Sequence, residues 1–278
     1  MVESYLVGVV QMNTQSDKRA NVAKASQFIK EAADKGAKLV ALPEYFNCMG
    51  ENTGEGGNAE SIPGYTSERL SRLAADLGVW IHCGSIAEEN PDGGNPFNTT
   101  ILMDDTGKIR CRYRKLHMFD VDLPNGVAVR ESETKSPGNE IVTFDGELGH
   151  FGFSICYDIR FPEIYRVMAE RGAEIFFTPS NFTLNTGKDH WESILRCRAI
   201  ENTCYVVAPA QIGKKSKFDA FGKSMVVDPW GTVIAKAKDK EGIVLAEIDM
   251  AYLREVRGQV PSLKNRRTDL YTIAVQNR

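Results

Sequence analysis

Histidine is scarce in this chain of 278 residues: there are four, with no HExxH pattern and no close His/carboxylate cluster to suggest a zinc site. The six cysteines (Cys48, Cys83, Cys111, Cys156, Cys197 and Cys204) form no CxxC pair, so reduced thiols are the expectation. A metal site would have to be assembled from distant parts, and none is expected. Positive charge is not in excess either. Lys and Arg number 34 against 37 Asp and Glu, a formal net charge of -3 and a pI near 5.9, which argues against nucleic acid or an anionic membrane surface as the main partner. Long apolar runs are missing as well, since no window approaches the roughly 18 consecutive apolar residues of a membrane span. The opening MVESYLVGVVQM has no basic segment ahead of an apolar stretch, so a cytoplasmic protein is expected. The N-x-[ST] matches at Asn98 and Asn181 carry no weight without a secretory signal.

What is present is ample core material, with 42% hydrophobic and 26% charged residues. Apolar strand-like runs alternate with helical patterns from end to end, which points to one continuous α/β domain over residues 1–278. Tyr5–Gln11 reads as a buried strand. From Asn21 to Gly36, Val22, Ala25, Phe28, Ile29, Ala32 and Ala33 share a helical face, with Gly36 as the stop. Strand Lys38–Leu42, helix Ser67–Leu77 and strand Val79–Ile86 complete a βαβαβ series. Further strands are expected at Thr99–Met103, Ile141–Phe144, Gly149–Cys156, Glu174–Thr178, Tyr205–Pro209, Ser224–Val227 and Val244–Ile248, with helices at Pro162–Arg171 and His190–Asn202. The segments Asn47–Pro63 and Met118–Asn139 are polar and rich in turn residues, and are candidate walls of a site.

Four residues invite a chemical reading, and each has a bland alternative. Cys156 ends an apolar strand pattern just ahead of Pro162, where α/β sheets place ligand sites; a free cysteine is also a common buried hydrophobe. Glu44 terminates the apolar run Leu39 to Pro43, so it is either a carboxyl made basic by burial or an exposed loop residue. In the run Arg110 to Lys115, alternation sends the three arginines to one face and Cys111, Tyr113 and Lys115 to the other. Lys115 is then either an inward ammonium needing an anionic partner or part of an exposed basic edge. Glu131, in a polar loop, says nothing alone. Gly222-Lys223-Ser224 is not a phosphate-binding loop, because that motif requires glycine where Lys217 stands. The basic loop Lys214-Lys215-Ser216-Lys217 reads as a solvated turn, and Trp191 and Trp230 as packing residues.

Taken together, LPEYF, YRKLHMFD, RESETKSPG, GFSICYDIRFPE and the later SNFT, HWESILRCRAIEN and SMVVDPWGTV stretches resemble the carbon-nitrogen hydrolase (nitrilase) superfamily. The resemblance runs from about Val7 to Tyr271. Within it, YRKLHMFDVDLP followed by RES and SPG is most similar to the Nit amidase branch of omega-amidases and deaminated glutathione amidases. The resemblance implies a four-layer αββα sandwich, commonly a homodimer, with no cofactor or metal and a small-molecule amide as substrate. It implies a catalytic set of Glu44, Lys115 and Cys156, with Glu131 as an auxiliary glutamate. Two departures, Tyr45 and the Phe221-Gly222-Lys223-Ser224 stretch, bear on substrate choice rather than chemistry.

Those residue types suit the reaction implied. Acyl transfer to a thiol and then to water replaces one high barrier with two lower ones. Cys156 is the expected nucleophile, Glu44 the general base, and Lys115, with the Tyr157 backbone N–H, the charge facing the oxyanion. Arg160 is the nearest basic residue for a substrate carboxylate, or else pairs with Glu163 or a loop. Asn181, Phe182 and Thr183 are candidate lining residues. An N-carbamoyl amidase or a nitrilase of the same superfamily would use the same thiol and lysine.

Overall fold

Strand β1 (Ser4–Gln11), helix α1 (Lys18–Asp34), strand β2 (Ala37–Ala41), helix α2 (Tyr65–Leu77) and strand β3 (Trp80–His82) follow one another, and the three strands run parallel. The βαβαβ series is thus present. The computed structural model describes residues 2–49, 58–122 and 128–275, so part of each expected wall loop lies outside the described residues. Helix α1 begins where the Asp17 side chain accepts from the Ala20 N–H at 3.0 Å. It ends ahead of Gly36, whose φ of +91° turns the chain into β2. Its buried stripe is Val22, Ala25, Ile29 and Ala32.

The expected strand Val79–Ile86 is instead two, β3 and β4 (Ile86–Glu88). Between them Gly84 adopts φ +57° and approaches the β2 exit so closely that a Cβ would lie 2.1 Å from the Pro43 carbonyl oxygen. Apolar periodicity does not register such a backbone contact. Strand β5 (Phe97–Met103) pairs antiparallel with β3, β4 and β6 (Ile109–Arg114). The final strand, Gly242–Asp249, pairs antiparallel with β1 and completes a seven-stranded sheet.

A second sheet has six strands, ordered Val233–Lys236, Met225–Val227, Tyr205–Ala208, Ile175–Phe177, Gly149–Phe153 and Thr143–Gly146. Here the expected strand to Cys156 ends earlier, at Phe153. The helix expected from His190 is the later part of a longer helical run, an α turn Leu184–Thr186, a π-helical turn Gly187–Trp191 and an α-helix Glu192–Asn202. Strand Val233–Lys236 and helix Met250–Gln259 were not expected; the first is a half-exposed edge, and the second buries only Met250, Leu253 and Val256. Trp191 is buried, but Trp230 is 53% exposed. Asp228 accepts from the Trp230 and Thr232 N–H groups and holds Trp230 in an outward turn.

The two sheets pack face to face through residues such as Val7, Leu39 and Leu102 on one side and Phe151, Phe177 and Val207 on the other. Helices α1 and α2 cover the outer face of the first sheet. Helix α3 (Pro162–Glu170) and helix Glu192–Asn202 cover the second. Helix, sheet, sheet, helix is the four-layer αββα sandwich. His82 lies between the sheets, stacked on Phe177 at 4.3 Å, and burial pushes its pKa down to about 3. It is therefore a neutral packing residue. No helix among the described residues is long and apolar enough to cross a membrane.

Glu88 ties β4 to β6: its carboxyl is 3% exposed and accepts from Arg112 at 2.7 Å and from Arg114 at 2.9 Å. Burial acts to raise its pKa, but the hydrogen bonds from Arg114 and Thr99 and the Arg112 charge hold it below the ordinary carboxylate range. A depressed folded pKa contributes stability that is present above the unfolded value and lost as pH falls through the folded one. Glu88→Gln is expected to destabilise by about 2 kcal/mol at pH 7, discounted from a fully buried pair because both arginines are partly solvated. Urea melts check this: the gap between the two proteins should narrow as acid protonates Glu88, and equal midpoints at pH 7 would contradict the assignment.

Candidate active site

Glu44 leaves β2 after Pro43, and its side chain is 3% exposed. The Asn98 side-chain N–H of β5 donates to Glu44 Oε1 at 2.9 Å. The next residue, Tyr45, has φ +49°, and its N–H donates to Ser85 Oγ at 3.0 Å. The glycine break between β3 and β4 therefore brings Ser85 to the turn that carries Glu44.

Lys115 follows β6 directly. Alternation places it as one of its two readings expected: Tyr113 and Lys115 are 1% and 2% exposed, while Arg110 and Arg112 face outward. Lys115 Nζ is 2.7 Å from Glu131 Oε2 and 3.5 Å from Glu44 Oε1. Glu131 opens a short 3₁₀ turn, Glu131–Glu133, and the same Oε2 accepts the Phe119 N–H at 2.7 Å. A loop glutamate that carried no signal alone is thus anchored on the lysine.

Cys156 opens the 3₁₀ turn Cys156–Arg160 with φ +48°, a left-handed conformation costing roughly 1–2 kcal/mol for a residue with a Cβ. Its N–H donates to the Pro179 carbonyl at 2.9 Å. The Glu44 carboxyl and the Lys115 ammonium both act electrostatically on its thiol. Non-glycine residues in this conformation concentrate at functional sites, where surrounding contacts hold them.

Burial raises the Glu44 pKa even against the nearby Lys115 charge. It also pushes the Cys156 thiol well above its ordinary value, with Glu44 adding to the effect and Lys115 opposing it. For Lys115, burial acts to lower the pKa, but Glu131 and Glu44 outweigh it and keep the ammonium charged. The resting arrangement is a neutral thiol and a carboxyl made more basic by burial, beside a charged ammonium. Among the described residues no group of three or more His, Cys, Asp or Glu is placed to hold a metal ion.

The family model for carbon-nitrogen hydrolases matches residues 6–258. This chain belongs to that family. The human omega-amidase NIT2 is 40% identical over 275 residues, covering 98% of this chain and 99% of that protein. The crystal structure of the Caenorhabditis elegans NitFhit protein superposes with a TM-score of 0.90 at 37% identity, covering 99% of this chain and 68% of that one. That of Saccharomyces cerevisiae Nit3, a member of branch 10 of the nitrilase superfamily, gives 0.86 at 35% identity, covering 96% of this chain and 98% of that one.

In this carbon-nitrogen hydrolase, Asp158 links the Cys156 turn to the strand that leads into Lys115. It is fully buried, and its carboxyl accepts from Ile155 N–H at 2.8 Å, Tyr113 OH at 2.6 Å and His117 N–H at 3.0 Å. His117 Nδ1 lies 2.7 Å from the same carboxyl, and its ring stacks on Phe161 at 3.6 Å. Sequence reasoning missed Asp158, Tyr113 and Asn98. The signal for Asp158 was its place two residues after the cysteine, and for Asn98 a polar residue inside the apolar strand β5.

The remaining candidates lie on or near the hydrolase's Cys156 turn. Tyr157 packs edge-on against Phe119 at 5.0 Å and Phe161 at 5.4 Å, and its backbone N–H has no acceptor among the described residues. Arg160 lies over the Tyr157 and Phe182 rings, 6.0 and 5.6 Å from their centroids, and its Nη2 is 3.3 Å from His190 Nδ1. No carboxylate among the described residues pairs with it, Glu163 included. Phe182 is buried against Trp191. Asn181 Oδ1 is buried without a hydrogen-bond partner among the described residues. The Thr183 hydroxyl is occupied in capping, 3.0 Å from Thr186 Oγ1 and 3.4 Å from the Thr186 N–H.

Proposed function

We propose that this hydrolase is a thiol amidase that releases ammonia from an ω-amide, a short acid carrying a terminal primary amide, such as alpha-ketoglutaramate or deaminated glutathione. The observation that carries the reading is the convergence of the Cys156 thiol with the Glu44 carboxyl, which act on one another's protonation, and with the Lys115 ammonium 3.5 Å from that carboxyl. Glu44 takes the thiol proton as sulfur attacks the amide carbon. The tetrahedral oxyanion is stabilised by Lys115 and the Tyr157 N–H, each such donor being worth about 3 kcal/mol in comparable sites. Glu44 then protonates the nitrogen, the C–N bond breaks and ammonia leaves the acyl-enzyme. A water attacks the thioester, gives its proton to Glu44 and restores the thiol as the acid departs. Glu131 holds Lys115 in place and balances its charge.

Two features favour an acid-bearing amide. Arg160, which pairs with no carboxylate among the described residues, is positioned to bind a substrate carboxylate. Asn181 Oδ1, buried and unpartnered among the described residues, suits an amide N–H, which a nitrile lacks. Ammonia release from ω-amides, carbamoyl amines and nitriles tests the reading, and faster turnover of nitriles would overturn it. Arg160→Gln is expected to lower kcat/KM about 10- to 100-fold for an amide with a distal carboxylate, from a lost charge-assisted hydrogen bond of about 1.5–3 kcal/mol. An amide without that carboxylate should change less than about twofold; equal losses on both would remove Arg160 from substrate recognition.

A further inference from the structure

The loop Lys214-Lys215-Ser216-Lys217 is not the solvated turn its composition suggests. Lys214 and Lys217 are exposed, but Lys215 turns inward and is 6% exposed. Its Nζ donates to Asn13 Oδ1 at 2.9 Å, to Gln211 Oε1 at 2.9 Å and to the Thr14 carbonyl at 3.2 Å. All three acceptors are neutral. The charged groups that act on it are Glu241 and Lys24, which pair with each other at 2.8 Å. A buried ammonium without a carboxylate is unfavourable, and burial pushes this one down to about 7. Packing alone would be served by an apolar side chain, so the lysine is placed there for what it holds.

Lys215 holds Gln211, which is fully buried with both ends of its amide engaged. Gln211 Oε1 accepts from the Thr14 N–H at 3.0 Å as well as from Lys215. Its Nε2 donates to Thr14 Oγ1 at 2.7 Å and to the Glu44 carbonyl oxygen at 2.9 Å. Thr14 Oγ1 donates in turn to the Phe46 carbonyl at 3.1 Å. The Thr14 N–H, and Lys215 while it is charged, can only donate, so the oxygen of Gln211 faces them and the NH₂ group is left for Glu44. The carbonyls of Glu44 and Phe46 flank Tyr45, whose left-handed φ of +49° must be held by its surroundings.

We propose that Lys215 is a positioning residue for the reaction: through Gln211 it fixes the main chain at Glu44 and hence the aim of the Glu44 carboxyl at Cys156. The inference rests on Glu44 being the general base. It is tested with Lys215→Met, Gln211→Met and the double variant, each measured per folded molecule for ω-amide turnover and for alkylation of Cys156 by iodoacetamide. Lys215→Met should lower kcat about 10-fold with KM within about twofold, the size of loss that a misplaced group produces. Alkylation of Cys156 should slow in parallel, because that step needs the same proton acceptor and no substrate. The double variant should be no slower than Gln211→Met alone.

Lys215→Gln, which keeps a donor and buries no charge, is measured beside them in case the methionine variant is unstable. Wild-type kcat and alkylation per folded molecule in both Lys215 variants, whatever their melting temperatures, overturn the proposal. Losses that multiply in the double variant also overturn it. Full activity in Glu44→Gln would defeat the base assignment itself, whereas an inactive Glu44→Gln beside a normal Lys215→Met defeats only this inference.

Discussion

Cys156→Ala is expected to abolish ammonia release, with a loss on the order of 10⁶-fold as when a covalent nucleophile is removed elsewhere. The fold should survive. Alanine meets the left-handed φ of +48° on the same terms as cysteine, and the Cys156 N–H bond to Pro179 belongs to the backbone. The Asp158 carboxyl would still hold the Ile155 N–H and the Tyr113 hydroxyl. The variant removes the sulfur and little else. An ammonia assay with a thermal melt of the same sample checks both halves of the expectation. Turnover within tenfold of the native protein would rule out acyl transfer to this thiol.

Glu44→Gln should cost about 10³-fold in kcat, within the range of 10²- to 10⁴-fold ascribed to general acid-base catalysis. Glutamine keeps the shape and can still accept from Asn98, but it cannot take the thiol proton. The pH profile gives an independent check. Burial raises the Glu44 pKa, so kcat/KM of the native protein should rise with pH through an apparent pKa above the ordinary carboxylate value of about 4.3. That value belongs to the Glu44–Cys156 pair rather than to either group. The rising limb should vanish in Glu44→Gln; if it persists unchanged, another group is the base.

Much of the architecture was legible because it depends on periodicity. The stripe on α1, the alternation in β6 that turned Lys115 inward and the run ahead of Cys156 all follow from side chains that must bury or stay wet. What escaped depends on backbone contacts and on partners distant in sequence. Gly84 breaks a strand because it touches Pro43, about which its apolar neighbours say nothing. Lys215 looks like any loop lysine until Asn13, Thr14 and Gln211 surround it. Asp158 has an obvious neighbour in Cys156, but its role comes from Tyr113 and His117, which lie more than 40 positions away. The catalytic set itself was readable only as an ensemble. Glu44, Lys115 and Cys156 were each ambiguous alone, and it was their combination with the surrounding motifs that singled them out.

The two halves of the proposed catalytic set belong to different sheets. Glu44 and Lys115 extend from β2 and β6 of the first, whereas Cys156 follows strand Gly149–Phe153 of the second. Neither sheet contains a working site by itself. In the proposed reaction the distance over which a proton passes from sulfur to carboxyl is set by how the sandwich closes, and Asp158 acts as the dowel across that seam. Each turnover is in this sense a gauge of the docking of one sheet on the other, and a substitution deep in the shared core can reach the chemistry without touching a catalytic residue.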